Sequence, residues 1–279
     1  MGIKCIALDM DGTTLHGDKS ISPANRAAIE EAAASGIQVI VASGRTWSAL
    51  PKSVMEIPGI RYAVTSNGAA VYDRGTCIRR VTLEPDSVIE LLENTREYRI
   101  AYEAFVEGVP YGQKEYIADP VAFGAMPYVV DYIQSTRKGV GDIREFIQRN
   151  RSCLDGIDLI VADEGIRKKF FELIPTVCDN VYVTSSVRNR VEVAHVEAGK
   201  HSGLGFLLKM LKISSEETAA FGDADNDVEM LSFVKYGVAM ENGSRRCKEA
   251  AAYQTKSNEE DGVAAGIRYL MGLTDQSDM

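Results

Sequence analysis

The 279-residue sequence predicts an α/β protein: a parallel-sheet domain assembled from both ends of the chain and interrupted by a separate α+β segment. Three observations predict it. Short apolar runs alternate with amphipathic helical stretches over residues 1–83. The same alternation resumes over residues 188–279. Between them, residues 84–187 read as helices segregated from paired strands. A chain of this length is ordinarily two domains.

Ile3–Leu8 is an apolar run ending at acidic residues, the pattern of a strand buried on both faces. Ser22-Pro23 opens a helix, with the serine as cap and the proline at the first helical position, and Gly36 stops it. Ile37–Ala42 is a second strand. Thr46 is expected to cap a helix through Glu56, disturbed by Pro51. Tyr62–Ser66 is a third strand, and Asp73-Arg74-Gly75-Thr76 turns a hairpin. In the insertion, Pro85–Tyr98 reads as a helix, and Ile100–Phe105 and Val109–Gly112 as paired strands. No pattern assigns the stretch that follows, as far as Asp158. Leu159–Ala162 is a strand, Glu164–Ile174 a helix and Val181–Ser185 a strand. The returning segment gives a helix over Lys200–Leu211 and a strand over Thr218–Phe221. A helix over Val228–Val234 and a strand over Tyr236–Met240 follow, then helices over Ser244–Ala250 and Asp261–Leu273. Thr274–Met279 reads as a frayed tail.

Composition narrows the function. The formal net charge is −9, and residues 84–187 alone hold 11 Lys/Arg against 18 Asp/Glu. An acidic surface repels polyanions, which excludes nucleic acid and anionic membranes as partners. The acidic insertion gives no general attraction for bisphosphates or nucleotides. It permits a hydroxyl-rich leaving group such as a sugar or polyol, because carboxylates accept hydrogen bonds from hydroxyls. The five cysteines are scattered and form no C-x-x-C pair, so neither a disulfide framework nor a zinc site is expected. No apolar run reaches transmembrane length, and Ile3–Leu8 reads as a strand rather than part of a leader. A cytoplasmic protein is expected.

Ligands of an open parallel sheet bind beyond the carboxyl ends of its strands. The first strand ends in Asp9-Met10-Asp11-Gly12-Thr13, the second in Ser43-Gly44-Arg45 and the third in Ser66-Asn67-Gly68. Thr218–Phe221 ends in Gly222-Asp223-Ala224-Asp225-Asn226-Asp227, and Lys200 opens the helix before it. Asp9, Asp223 and a backbone carbonyl near Asp11 could hold Mg²⁺, a hard cation that wants oxygen ligands. Asp9 would attack phosphorus as a carboxylate nucleophile, and Asp11 would serve as acid and base. Ser43 would donate to a phosphoryl oxygen, Lys200 would offset developing charge, and Asn226 and Asp227 would complete the loop. Each piece alone has a plainer reading. A lone D-x-D is as readily a strand-end turn, Ser43-Gly44-Arg45 a turn and Lys200 a solvated residue. Their convergence on strand and helix ends favours chemistry.

With these residues the chain resembles the haloacid-dehalogenase-like hydrolase superfamily, subclass IIB, the Cof-type sugar-phosphate phosphatases. Asp9–Thr13, Ser43, Lys200 and Gly222–Asp227 match its four motifs in order, and Ser66-Asn67-Gly68-Ala69 and Asp261-Gly262-Val263-Ala264 also fit. The resemblance implies a Rossmann-like core over residues 1–83 and 188–279, with a mobile cap over 84–187. It implies Mg²⁺ on Asp9, Asp11 and Asp223, with Asp227 supporting the metal loop and Gly44, Arg45, Asn67 and Asn226 binding substrate. The expected partner is a small phosphorylated metabolite, with the chain a monomer or homodimer. A phosphomutase of the same superfamily and a catalytically idle phosphate sensor are the alternatives. Ser43 stands where threonine is common, Thr14 where leucine is usual, His201 where glycine is frequent and Gly243 where alanine is frequent. None removes a required group. Outside the motifs, His16 reads as a turn histidine, His195 as a strand end and Trp47 as helix packing. Arg188, Asn189 and Arg190 read as a solvated hinge or a substrate contact, and Arg167-Lys168-Lys169 as a solvated helix face.

Overall fold

A computed structural model describes residues 2–272. The expected tail, Thr274–Met279, lies outside them, as does Leu273. The chain divides into two compact units. The first takes in the described residues of Met1–Gly44, Leu50–Ile78 and Gly199–Met279; the second takes in Arg45–Ala49 and Arg79–Ala198.

In chain order the elements begin with β1 (Cys5–Leu8), α1 (Pro23–Ala34), β2 (Gln38–Ala42), α2 (Lys52–Met55), β3 (Ile60–Thr65), β4 (Ala70–Asp73) and β5 (Thr76–Arg80). The second unit supplies α3 (Pro85–Thr95), β6 (Ala101–Val106), β7 (Val109–Gln113), α4 (Lys114–Ala118), α5 (Val130–Thr136) and β8 (Lys138–Val140). It continues with α6 (Ile143–Arg149), β9 (Leu154–Ile160), α7 (Glu164–Val177), β10 (Val181–Thr184) and β11 (Arg190–His195). The first unit resumes with α8 (Lys200–Leu211), β12 (Thr218–Gly222), α9 (Val228–Phe233), β13 (Tyr236–Met240), α10 (Arg245–Ala250), β14 (Tyr253–Thr255) and α11 (Gly262–Leu270).

The first sheet has the order β14-β13-β12-β1-β2-β3-β4-β5. It is parallel from β14 to β3, and β4 runs antiparallel to β3. The order reverses at β1: β2 and β3 lie on one side of it, β12 to β14 on the other. That reversal opens the crevice in which an α/β sheet binds its ligand. All four residues of β1 are fully buried, as the unbroken apolar run requires. Leu204, Leu207 and Met230 from α8 and α9 pack on Ala7, Ile40 and Val64 of the sheet. Each such side chain contributes about 1.5–3 kcal/mol by leaving water.

The second sheet, β10-β11-β9-β6-β7-β8, is antiparallel apart from its last pair, β7 with β8. Leu91 of α3, Ile147 of α6 and Phe170 and Ile174 of α7 cluster with Ile157, Leu159 and Val191 of its strands. Helices segregated from antiparallel strands make this the α+β part.

Ser22 caps α1 as expected, its hydroxyl accepting from Asn25 N, with Pro23 in the first turn. Arg74 and Gly75 both have positive φ, 47° and 86°, which suits the two-residue turn between β4 and β5. Two expectations are corrected, and one strand is added. No helix runs from Thr46 to Glu56: a short 3₁₀ turn spans Trp47–Ala49, and α2 has only four residues after Pro51. Proline lacks the N–H that would have continued the helix, and Thr46 Oγ1 is buried without a hydrogen bond, so it caps nothing. β9 starts at Leu154, ahead of the expected Leu159, because Asp155, Gly156 and Asp158 break its apolar pattern while lying buried within it. β14 was hidden for a similar reason, since Tyr253–Thr255 is too short and polar to read as a strand.

Candidate active site

β1 and β12 pair in parallel with Leu8 opposite Phe221. Their carboxyl ends therefore deliver Asp9 and Asp223 side by side. α8 begins at Lys200, whose side chain is only 1% exposed. Its ammonium donates to Asp9 Oδ1 at 2.6 Å and to Asp227 Oδ1 at 2.7 Å. Carboxylate oxygens of Asp9, Asp223 and Asp227 lie within 4.8 Å of one another and could hold a metal ion. Lys200 is thus not the solvated residue it resembles in isolation.

The loop after β12 is built around Asp227. Its Oδ2 accepts the backbone N–H groups of Asp223 (3.1 Å) and Ala224 (3.0 Å). With Oδ1 on Lys200, both of its oxygens are engaged, so Asp227 organises the loop and leaves Asp9 and Asp223 as the better metal ligands. Asp223 accepts a hydrogen bond from Thr13 Oγ1 at 2.8 Å. Gly12 has φ +82°, and a Cβ there would come within 2.4 Å of Asp223 Oδ2. Only glycine fits that approach.

Three carboxylates, two of them buried, against one ammonium leave negative charge in excess. Burial pushes the Asp9 carboxyl up to about 7, and the Asp227 and Asp11 charges add to this although Lys200 opposes it. Burial, with the Asp9 and Asp227 charges, holds Asp223 well above the ordinary carboxylate range. Burial alone would lower the Lys200 pKa, but Asp227 and Asp9 outweigh it and keep the ammonium charged. Carboxylates that resist ionisation beside a cation are short of positive charge. An all-oxygen donor set in that state fits a hard divalent cation.

The other sequence-named residues fall in three places. Ser43 follows β2, 1% exposed, with its N–H on Val64 O and its carbonyl accepting from Asn67 N. Asn67 has left-handed φ/ψ of 51°/37°. Its side-chain oxygen accepts from Asn226 Nδ2 at 2.9 Å and would lie 3.0 Å from a Cβ on Gly44. Ser43, Gly44, Asn67 and Asn226 are therefore neighbours. Asp11 is turned toward Lys19, whose ammonium meets its Oδ1 at 2.8 Å. Arg45 belongs to the second unit, where its guanidinium donates to Ala49 O and lies 4.3 Å from the centre of the Tyr132 ring.

Several residues that hold the site escaped the sequence reading. Thr14, where leucine is usual in the family it resembles, donates its hydroxyl to the Asp9 carbonyl at 2.5 Å. Three carbonyls of the loop after β1 are each held by an asparagine from another element: Gly12 by Asn242, Thr14 by Asn25 and Leu15 by Asn258. Asn25 also accepts from Ala264 N of α11. Its signal was available: an asparagine on the alanine face of α1, fully buried, must find polar partners.

The second unit has its own buried charges. Glu103 of β6 is bonded by Arg137 at 2.9 Å and by Arg190 at 3.0 Å. Arg190 also reaches Asp158 at 2.7 Å. Burial would raise the Glu103 pKa, but the two guanidiniums outweigh it and hold it at about 2. Asp158 is raised by burial and by the neighbouring Glu192, against the shared Arg190. Arg190 is thus structural. Arg188 is exposed, paired with Glu164, and Asn189 donates to Gly124 O.

A model of the haloacid dehalogenase-like hydrolase family matches residues 6–267. A 5-amino-6-(5-phospho-D-ribitylamino)uracil phosphatase of Bacillus subtilis (strain 168) is 28% identical over 270 residues, covering 96% of this chain and 95% of that protein. A second phosphatase of the same description from that strain is 25% identical over 295 residues, covering 96% and 98%. Among solved structures, a haloacid dehalogenase-like hydrolase from B. subtilis matches with a TM-score of 0.82 at 27% identity, over 96% of this chain and 100% of that one. A subclass IIB sugar phosphatase matches in fold, with a TM-score of 0.83 at 20% identity over 97% and 100%.

Proposed function

We propose that this chain, a member of the haloacid dehalogenase-like hydrolase family and a phosphoric monoester hydrolase, hydrolyses sugar or polyol phosphates through a phosphoryl group carried on Asp9. The observation that carries this reading is a buried Asp9 carboxylate held by the Lys200 ammonium in a cluster short of positive charge. Lys200 reduces the repulsion between that carboxylate and an anionic phosphate and fixes its orientation.

In the first step an Asp9 oxygen attacks phosphorus. The bond from phosphorus to the leaving oxygen breaks, and that oxygen takes the proton of the Asp11 carboxyl and departs as an alcohol. In the second, water attacks the phosphorus of the aspartyl-phosphate and gives its proton to Asp11. The bond from phosphorus to the Asp9 oxygen breaks, releasing inorganic phosphate and restoring both groups. Mg²⁺, held by Asp9, Asp223 and the backbone carbonyl of Asp11, would neutralise charge on the phosphoryl oxygens. Ser43 donates its hydroxyl to one of those oxygens, and Gly44, Asn67 and Asn226 bound the same corner.

Two observations support the substrate class. The two B. subtilis phosphatases are described by a phosphate on a ribityl chain, a hydroxyl-rich leaving group. The excess of acid over base in residues 84–187 suits hydroxyls better than further phosphates. The test is Mg²⁺-dependent phosphate release from a panel of phosphorylated sugars and polyols, together with acid-quench trapping of the phosphoenzyme and peptide mapping of the label. Label on Asp9 and loss of turnover in Asp9→Asn are expected. Full turnover in that variant overturns the mechanism, and faster transfer to sugar hydroxyls than to water replaces hydrolase with mutase.

A further inference from the structure

We propose that Lys19 is a positioning residue for the acid/base carboxyl of Asp11; the proposal rests on the role given to Asp11 above. Lys19 lies in the loop after β1, and its ammonium meets Asp11 Oδ1 at 2.8 Å. The two side chains are 25% and 37% exposed, so the contact is partly sheltered.

The backbone goes out of its way to make this contact. Lys19 has φ +68°, a left-handed conformation that costs a residue with a side chain about 1–2 kcal/mol. Such an outlier persists only where its surroundings over-determine it, and here they do. His16 N–H donates to Ser20 O, and Lys19 N–H donates to His16 O, closing the turn. Asp18 Oδ1 accepts from both the backbone and the hydroxyl of Ser20. Asp11 and Leu15 bridge at the base of the loop. Leu15 O accepts from Asn258, and Gly17 N–H donates to Glu259 Oε1 at 2.7 Å. The lysine is therefore presented to Asp11 by a turn fastened at its base and its tip.

A carboxyl has two oxygens. An ammonium on Oδ1 is compatible with the proton of the reaction residing on Oδ2 or having left it, so the tether can persist through both steps. Its effect is to narrow the directions available to a half-exposed aspartate on a loop. Proton transfer demands hydrogen-bond reach, and misplacing a catalytic group by about 1 Å costs on the order of 10²-fold.

The experiment compares kcat/KM for ribose 5-phosphate and for p-nitrophenyl phosphate in wild type, Lys19→Met, Lys19→Arg, Asp11→Asn and the Lys19→Met/Asp11→Asn double variant. The alkyl leaving oxygen needs a proton; the nitrophenolate does not. Lys19→Met is expected to lower kcat/KM for ribose 5-phosphate by about 10–100-fold and for p-nitrophenyl phosphate by less than about 3-fold. Lys19→Arg should recover most of the difference. In the Asp11→Asn background the Met substitution should add nothing. Equal losses on both substrates, or an undiminished effect of Lys19→Met when Asp11 is Asn, overturn the positioning role. Near-wild-type turnover of ribose 5-phosphate in Asp11→Asn instead overturns the acid/base reading itself.

Discussion

In the first unit three carboxylates, Asp9, Asp223 and Asp227, gather around one ammonium, Lys200. In the second, Glu103 sits between two guanidiniums, Arg137 and Arg190, with Asp158 sharing the latter. Both hold buried carboxylates, and the pKa directions of Asp9 and Glu103 are opposite. Burial wins at Asp9, whose carboxyl rises to about 7; the arginines win at Glu103, whose carboxyl falls to about 2. A buried carboxylate with its partners supplied by the protein is structural. At Asp9 one ammonium serves three carboxylates, and that all-oxygen set could hold a cation. Asp158 is raised like Asp9, by burial and by Glu192, yet keeps a guanidinium on it. Depth of burial does not separate Asp9 from Glu103; charge balance does.

Asp9→Asn breaks the comparison most directly. Phosphate release should fall by at least about 10⁴-fold, as for loss of a nucleophile, while thermal melting stays within a few degrees of wild type. Glu103→Gln should do the reverse. It leaves Arg137 buried without its carboxylate, which costs about 3–5 kcal/mol, read as a lower midpoint in urea unfolding. Asp223→Asn comes next, with the Mg²⁺ concentration for half-maximal activity rising by more than about 100-fold. Outer-shell changes alone cost about 10–100-fold in metal affinity.

The subtlest expectation concerns pH. The raised folded pKa of Asp9 means that the folded state holds this proton more tightly than the unfolded chain. Its contribution to stability is present below the unfolded value of about 3.9 and is lost as pH rises through about 7. Glu103 has the opposite sign: its contribution is present above about 4.3 and is lost as pH falls through about 2. In metal-free protein, Asp9 therefore lowers stability between about pH 4 and 7, where Glu103 contributes no loss. Added Mg²⁺ should raise the melting temperature more at pH 8 than at pH 5 by differential scanning calorimetry. An equal rise at both would show that the excess acid at Asp9 is not what the cation relieves.

The strands that carry the site were legible because β1, β2, β3 and β12 are buried, and burial on both faces writes an unbroken apolar run. Their ends were legible because Asp9, Ser43, Asn67 and Asp223 interrupt those runs abruptly. The helix expected over Thr46–Glu56 failed at Pro51, where one missing N–H outweighs favourable residues on either side. β9 was misplaced because Asp155 and Asp158 are buried with arginine partners from elsewhere, Arg80 and Arg190. A buried ion pair looks like surface when only one half is in view. Asn242 and Asn258 were unreadable for the same reason: an amide that holds a distant carbonyl has no local pattern.

The sequence by itself picked out Asp9, Asp11, Lys200 and Asp223 as candidates, since residue type and strand-end position are local properties of the chain. Only the tertiary structure decided what each one touches. It buried Lys200 between Asp9 and Asp227, gave both oxygens of Asp227 to the loop and the ammonium, and turned Asp11 toward Lys19. The physical reason is that a charge takes its character from its neighbours and from the water it has lost. For Asp9 and Lys200 those neighbours lie 191 residues apart along the chain.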